Sequence, residues 1–179
     1  FENKPIWITE WNLQMSKITA NTMMQALFTA SYLLEASANP KLKSIELSTF
    51  HNMAGRTLSA SMLLKKKNKM HMLVTYKPMK MLSEIFQNKD YIASKEDLEG
   101  ELFKYIFTKD DRQIICWVNW SVDELSAQIP SGSWMQKEFS GENLYSTTFD
   151  QDEIIYNEKE VVNKIILKPY SFTMVIQNE

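Results

Sequence analysis

The sequence predicts an α/β segment followed by an all-β segment, and three observations carry that reading. A strand, a helix and a second strand follow one another within the first fifty residues. A second helical pattern begins near Pro78. After about Ser94, short runs of β-branched and aromatic residues alternate with turn residues, as in antiparallel sheet. The texture divides the chain into residues 1–92 and 93–179.

Residues 5–11 form the first predicted strand. It is apolar on both faces, as a parallel strand covered on both sides must be. With a period of two, Ile6, Ile8 and Glu10 share one face, and Trp7, Thr9 and Trp11 the other. A helix is predicted over residues 19–37, where Met23, Leu27, Ala30 and Leu34 make a core-facing stripe that Met24, Phe28 and Ser31 widen. Asn39-Pro40 ends it, because proline cannot continue a helix and restricts the residue before it. A second strand is predicted over residues 42–50, completing a βαβ unit. Between Met53 and Met72 the pattern weakens, and Lys65-Lys66-Lys67-Asn68-Lys69 reads as a solvated loop or frayed helix. Met79, Leu82, Ile85 and Phe86 form the predicted buried stripe of the second helix.

In the second part, strands are predicted over 102–107, 113–120, 125–129, 134–139, 144–148, 161–167 and 171–176, with a hairpin at Lys109-Asp110-Asp111. Their spacing predicts a β-sandwich of roughly eighty-five residues. Trp120 falls on the side of Ile114, Cys116 and Val118, while Trp117 and Asn119 point the other way. Trp117, Trp120 and Trp134 read as core or inter-domain packing, with a carbohydrate-binding face as the alternative.

Composition sets limits on function. Of 179 residues 44% are apolar and 23% charged, an ordinary globular balance. A net charge of −2 argues against nucleic acid as a partner, and no apolar run is long enough to span a bilayer. One cysteine, Cys116, excludes an internal disulfide and a multi-cysteine metal site, and in an apolar strand it reads as a small buried residue. Asp150-Gln151-Asp152-Glu153 lacks the glycine and distal ligand of an EF-hand and reads as a solvated turn, so no metal or cofactor is expected. The chain opens on Phe1 without a signal-like segment, and the expectation is a piece of a longer protein. Its location is left undetermined, with a secreted or periplasmic protein compatible with the composition.

Glu10 is the first candidate for chemistry. A carboxylate at the end of a buried strand costs free energy unless it is paired or used, and in barrel enzymes strand ends carry the catalytic groups. The bland alternative is a glutamate that caps its strand through a local ion pair. Trp11 is a candidate sugar platform or a packing residue, and Asn12 a substrate ligand or a turn former. Phe50, His51 and Asn52 stand at the end of the second strand. His51 reads either as a ligand of a sugar hydroxyl or as a structural histidine. Glu46, inside that strand, reads as a buried ion-pair partner before a second active-site carboxylate.

Lys4-Pro5-Ile6-Trp7-Ile8-Thr9-Glu10-Trp11-Asn12 resembles the seventh strand of the retaining glycoside hydrolases with (β/α)8 architecture, arabinofuranosidase-like and xylosidase-like members (families 51 and 39) above all. Ala26-Leu27-Phe28-Thr29-Ala30-Ser31-Tyr32-Leu33-Leu34 resembles the seventh helix, residues 44–50 take the place of strand eight, and residues 78–86 that of helix eight. Leu167-Lys168-Pro169-Tyr170-Ser171-Phe172-Thr173-Met174-Val175-Ile176 is similar to the last strand of the sandwich that trails these barrels. The resemblance implies the last two βα units of a TIM-type barrel followed by an antiparallel β-sandwich. It also implies a carbohydrate substrate of the plant-polysaccharide type and Glu10 as nucleophile, with Trp11, Asn12, Phe50, His51 and Asn52 as substrate contacts. A retaining enzyme needs a second carboxyl group about 5–5.5 Å from the nucleophile. The resemblance places that acid/base glutamate after an asparagine on strand four, upstream of Phe1, so the N-terminal remainder of the same polypeptide is an expected partner and the isolated chain is expected to be inactive. The competing readings are a non-catalytic carbohydrate-binding or scaffolding module and an α/β piece that packs against a separate subunit.

Overall fold

A computed structural model describes residues 18–39, 52–55, 61–87, 91–98, 100–148 and 154–178. The predicted strands at 5–11 and 42–50 lie outside these residues. The first helix, α1 (Met23–Ala38), begins four residues later than the periodicity predicts. Asn21 adopts φ +59°, a left-handed conformation that cannot start a helix and that asparagine tolerates. The predicted stripe of α1 is in place: Met23, Leu27, Ala30 and Leu34 are fully buried.

In the weakly patterned stretch, residues 52–55, 61–66 and 69–72 are strands, and the lysine run predicted as a solvated loop or frayed helix is a strand–turn–strand hairpin. Strand β1 (Asn52–Gly55) runs parallel to β2 (Ser61–Lys66), which turns back into β3 (Lys69–Met72). Lys67 and Asn68 form the two-residue turn, both at positive φ, as a tight hairpin requires. Lysines hide a hairpin from a hydrophobic-pattern reading because here they occupy its solvated tip. Helix α2 (Tyr76–Phe86) follows, with Pro78 in its first turn. Its buried residues are Pro78, Met81, Leu82 and Ile85, so the stripe is rotated toward Met81 and away from the predicted Met79 and Phe86.

The rest is antiparallel. Strands β4 (Ile92–Asp97), β5 (Leu102–Lys109), β6 (Arg112–Asn119), β8 (Trp134–Gly141), β9 (Ile154–Val161) and β11 (Ser171–Gln177) form a six-stranded sheet in the order β4-β5-β6-β11-β8-β9. Strands β7 (Leu125–Gln128) and β10 (Lys164–Leu167) form a two-stranded sheet. The hairpin at Asp110-Asp111 is present, closed by Lys109 opposite Arg112. β4 and β9 were not legible as strands. Both are sheet edges among the described residues, and edges carry charge (Lys95 and Glu96; Glu158, Lys159 and Glu160) that breaks the apolar alternation. The predicted strand 161–167 is divided by a turn at Asn163, φ +61°. Residues 144–148 form a turn with one isolated bridge, Thr147 opposite Thr22, instead of the predicted strand. Their carbonyls cap α1: Met23 N–H donates to Ser146 (2.9 Å) and Met24 N–H to Leu144 (2.8 Å), satisfying groups that have no partner inside the helix.

The six-stranded sheet has an apolar core on each face. On one, Tyr105, Phe107, Cys116, Phe139, Phe172 and Met174 pack with Met23, Leu27, Leu34 and Leu82 of the helices. On the other, Ile115, Trp117, Trp134 and Val175 pack with Ile129, Ile165 and Leu167 around the small sheet. The layers are therefore helices, large sheet and small sheet. Lys168-Pro169-Tyr170 carries the chain from the small sheet into the centre of the large one. Asn119 fixes that crossing: its amide donates to the carbonyls of Lys168 (2.8 Å) and Asp123 (3.0 Å), and its oxygen accepts from Ser121 N–H and Oγ–H (3.0 and 2.8 Å). A fully buried amide with all four bonds made is stable in place; removing it strands several groups.

Candidate functional site

The helix starts organise the candidate site. Asn21 Oδ1 accepts the Val74 N–H (2.9 Å) and the Thr148 hydroxyl (3.2 Å), and Asn21 N–H donates to Gln25 Oε1 (2.8 Å). Asn21 lies two residues before α1 and Val74 two before α2, so both helices begin at the same end of the molecule. Its buried Nδ2 has no hydrogen-bond partner. Consecutive βα units place their helix starts, and the loops that enter them, on one face, and in barrel enzymes that face carries the chemistry.

Of the sequence-predicted site residues, Glu10, Trp11, Asn12, Phe50 and His51 lie outside the described residues, as does Glu46. Asn52 is described as the first residue of β1, opposite Ser61. No described distance brings these residues together.

Two depressions are formed by described residues. The first, of about 360 Å³, lies at the start of α2 between β3 and β9, lined by His71, Lys77, Thr148 and Tyr156 among others. The Lys77 ammonium stands 3.9 Å from the Tyr156 ring centroid, and Tyr156 hydrogen-bonds Glu158. Burial, reinforced by the Glu158 carboxylate, raises the Tyr156 hydroxyl above the ordinary tyrosine range, so it stays protonated at neutral pH.

The second, of about 520 Å³, lies between α1 and the large sheet, lined by Phe28, Ser31, Tyr32, Glu35, Gly100, Glu101, Phe103, Tyr105 and Trp120. Phe28 and Tyr32, one helical turn apart, stack with centroids 6.1 Å apart. Trp120 Nε1–H donates to Ser31 Oγ (3.1 Å), the Tyr105 hydroxyl donates to Glu35 Oε2 (2.9 Å), and Lys95 pairs with the same oxygen (3.0 Å). Strand parity places Trp120 on the core side, and it does pack against that core, but it also lines this groove. The groove depends on Glu35 meeting Tyr105 across seventy residues of sequence, which periodicity does not reveal.

Trp117 and Trp134 are buried in the second core, and Trp134 Nε1–H donates to the Pro130 carbonyl (3.0 Å), so neither forms a sugar-binding face. Cys116 is fully buried and burial pushes its thiol well above the ordinary range, which disqualifies it as a nucleophile. Among the described residues no cluster of three or more His, Cys, Asp or Glu could hold a metal ion, and no helix is long and apolar enough to cross a membrane.

The sequence matches no family model, and no curated protein matches it. Solved structures do match. A GH51 α-L-arabinofuranosidase from Thermotoga petrophila RKU-1 superposes with a TM-score of 0.70 at 13% identity, covering 97% of this chain and 43% of that one. The catalytic domain of a GH30 xylanase C from Talaromyces cellulolyticus gives 0.66 at 10% identity, covering 99% and 41%. A 4-O-α-L-rhamnosyl-β-D-glucuronidase from Fusarium oxysporum 12S gives 0.67 at 13% identity, covering 97% and 44%. The chain thus spans less than half the length of each. At these identities the likeness is one of fold. The chain shares the fold of part of each of these glycoside hydrolases, here mostly antiparallel sheet with two helices.

Proposed function

We propose that this chain is the C-terminal part of a retaining glycoside hydrolase that cleaves glycosidic bonds in plant-type polysaccharides or their oligosaccharides. The observation that carries the reading is the match of nearly the whole chain to parts of several glycoside hydrolases, a xylanase and an arabinofuranosidase among them. Two features support it. The joined starts of α1 and α2 suit consecutive βα units, and the segment that resembles strand seven leads directly into α1. In this reading residues 1–92 are the end of the barrel and 93–179 the sandwich domain.

Glu10 is the nucleophile of this proposal. Its carboxylate attacks the anomeric carbon and forms a covalent glycosyl ester, while a second carboxylic acid protonates the departing oxygen. That second group then takes a proton from water, which attacks the anomeric carbon, releases the sugar and frees Glu10 with net retention. The acid/base group belongs to polypeptide outside this chain, the N-terminal remainder that completes the barrel. Trp11, Asn12, Phe50, His51 and Asn52 are the proposed substrate contacts.

The test compares the complete polypeptide with its Glu10→Gln variant on aryl glycosides, following the anomeric configuration of the first product by NMR. The proposal expects retained configuration, turnover abolished by Glu10→Gln, and no turnover from residues 1–179 alone. Undiminished turnover in Glu10→Gln would remove Glu10 from the chemistry. Binding without turnover by the complete polypeptide would instead make it a non-catalytic carbohydrate module.

A further inference from the structure

The groove between α1 and the large sheet lies at the edge of the first core. Phe28, Tyr32, Phe103 and Trp120 are half-buried, each packed on the first core while lining the groove. Aromatic walls with a few fixed polar groups, in a space of about 520 Å³, are the make-up of a small-molecule site. One polar group is well prepared. Glu35 Oε2 is held by the Tyr105 hydroxyl and Lys95, and the carboxylate is itself largely exposed.

The charges select the occupant. Glu35 and Glu101 on the rim outnumber Lys95, so an anion is repelled. A second protein surface closing over the groove would strip water from both carboxylates and gain only apolar contact, a cost the pairing with Lys95 meets for one of them alone. A neutral sugar avoids both penalties. Its C–H faces would lie on the aromatic rings and a hydroxyl would donate to the exposed Glu35 carboxylate. The groove is open beside Gly100, where a Cβ built on the backbone would meet nothing within 4 Å.

We propose that this groove is an accessory, non-catalytic binding site for a neutral oligosaccharide, with ring faces on Tyr32 and Trp120 and a hydroxyl donating to Glu35. The sugar class rests on the glycoside-hydrolase reading; the location does not. Glu35 stands fourteen residues along the chain from Asn21, on the order of 20 Å along α1, so the groove lies away from the end where both helices begin. It would hold a polysaccharide chain at a distance from the reacting bond and raise its effective concentration there.

The experiment titrates the complete polypeptide, its catalytic site first blocked with a 2-deoxy-2-fluoro glycoside, with xylohexaose, an α-1,5-arabino-oligosaccharide and a glucuronic-acid-substituted xylo-oligosaccharide, following tryptophan fluorescence and calorimetry. The expected result is binding of at least one neutral oligosaccharide, weaker binding of the uronate-bearing one, and a loss of about tenfold or more in affinity for Tyr32→Ala and for Glu35→Gln. Glu35→Gln removes a charge from an exposed side chain, so its melting temperature should match the parent and its loss of binding should reflect the site. Tyr32→Ala and Glu35→Gln should leave turnover of a short aryl glycoside unchanged, which separates this groove from the catalytic proposal. Binding that survives both Tyr32→Ala and Glu35→Gln, turnover of the short aryl glycoside lost in either variant, or no binding of any of the three sugars would overturn it. So would concentration-dependent dimerisation abolished by Tyr32→Ala, which would make the groove a protein contact.

Discussion

The Asn21 side-chain oxygen accepts the backbone N–H of Val74 at 2.9 Å, joining the residues that lead into α1 and α2. The same oxygen takes the Thr148 hydroxyl from the loop after β8. One amide thus ties the helical layer to itself and to the sheet domain, at the end of the molecule where the proposed chemistry would lie.

Replacing Asn21 should therefore be costly in a way that separates side chain from backbone. Asn21→Gly keeps the left-handed φ but leaves the buried Val74 N–H without its acceptor, a loss of about 1–3 kcal/mol. Asn21→Ala adds the strain of a Cβ at positive φ, about 1 kcal/mol more. Thermal melts should rank the parent above Asn21→Gly and Asn21→Gly above Asn21→Ala. Equal melts for all three would deny the junction its structural role.

Trp134 is the anchor of the second core, fully buried with its indole N–H satisfied by Pro130. Trp134→Ala should cost about 3–5 kcal/mol through lost burial and the cavity left behind. Denaturant titration checks this, with a lower midpoint and an unchanged slope expected.

Cys116 should be inert in the folded protein. It is fully buried and its thiol is raised above its ordinary value near 9. Iodoacetamide at pH 8 should label it only after denaturation, read by mass spectrometry; prompt native labelling would contradict the burial. Because the folded thiol holds its proton to higher pH than the unfolded one, its contribution to stability is complete below pH 9 and is lost as pH rises above that. Tyr156, raised in the same direction, adds to the loss above about pH 10. Cys116→Ala should lessen the alkaline decline.

Much of the sheet was legible because its central strands alternate cleanly: β5, β6, β8 and β11 begin within a residue of where the pattern puts them. Edge strands β4 and β9 were hidden by the charges that keep edges from pairing with other chains, and the β2–β3 hairpin by its lysines. Residues 144–148 look like a strand because they are apolar and β-branched, yet their carbonyls serve the first turn of α1, a tertiary demand no local pattern records. The same limit applies to the sites. Glu10 stood out because a strand-end carboxylate is locally anomalous. The Glu35 groove did not, because its walls come from α1, β5 and the end of β6, and each wall reads alone as ordinary amphipathic structure.

In the proposed reaction Glu10 forms a covalent bond to sugar. The direct measurement is to treat the complete polypeptide with a 2-deoxy-2-fluoro aryl glycoside, which slows hydrolysis of the glycosyl ester, and to locate the adduct by peptide mass spectrometry. One fluorosugar is expected on the peptide that contains Glu10, and none in Glu10→Gln. An adduct on another carboxylate, with full turnover in Glu10→Gln, would contradict it.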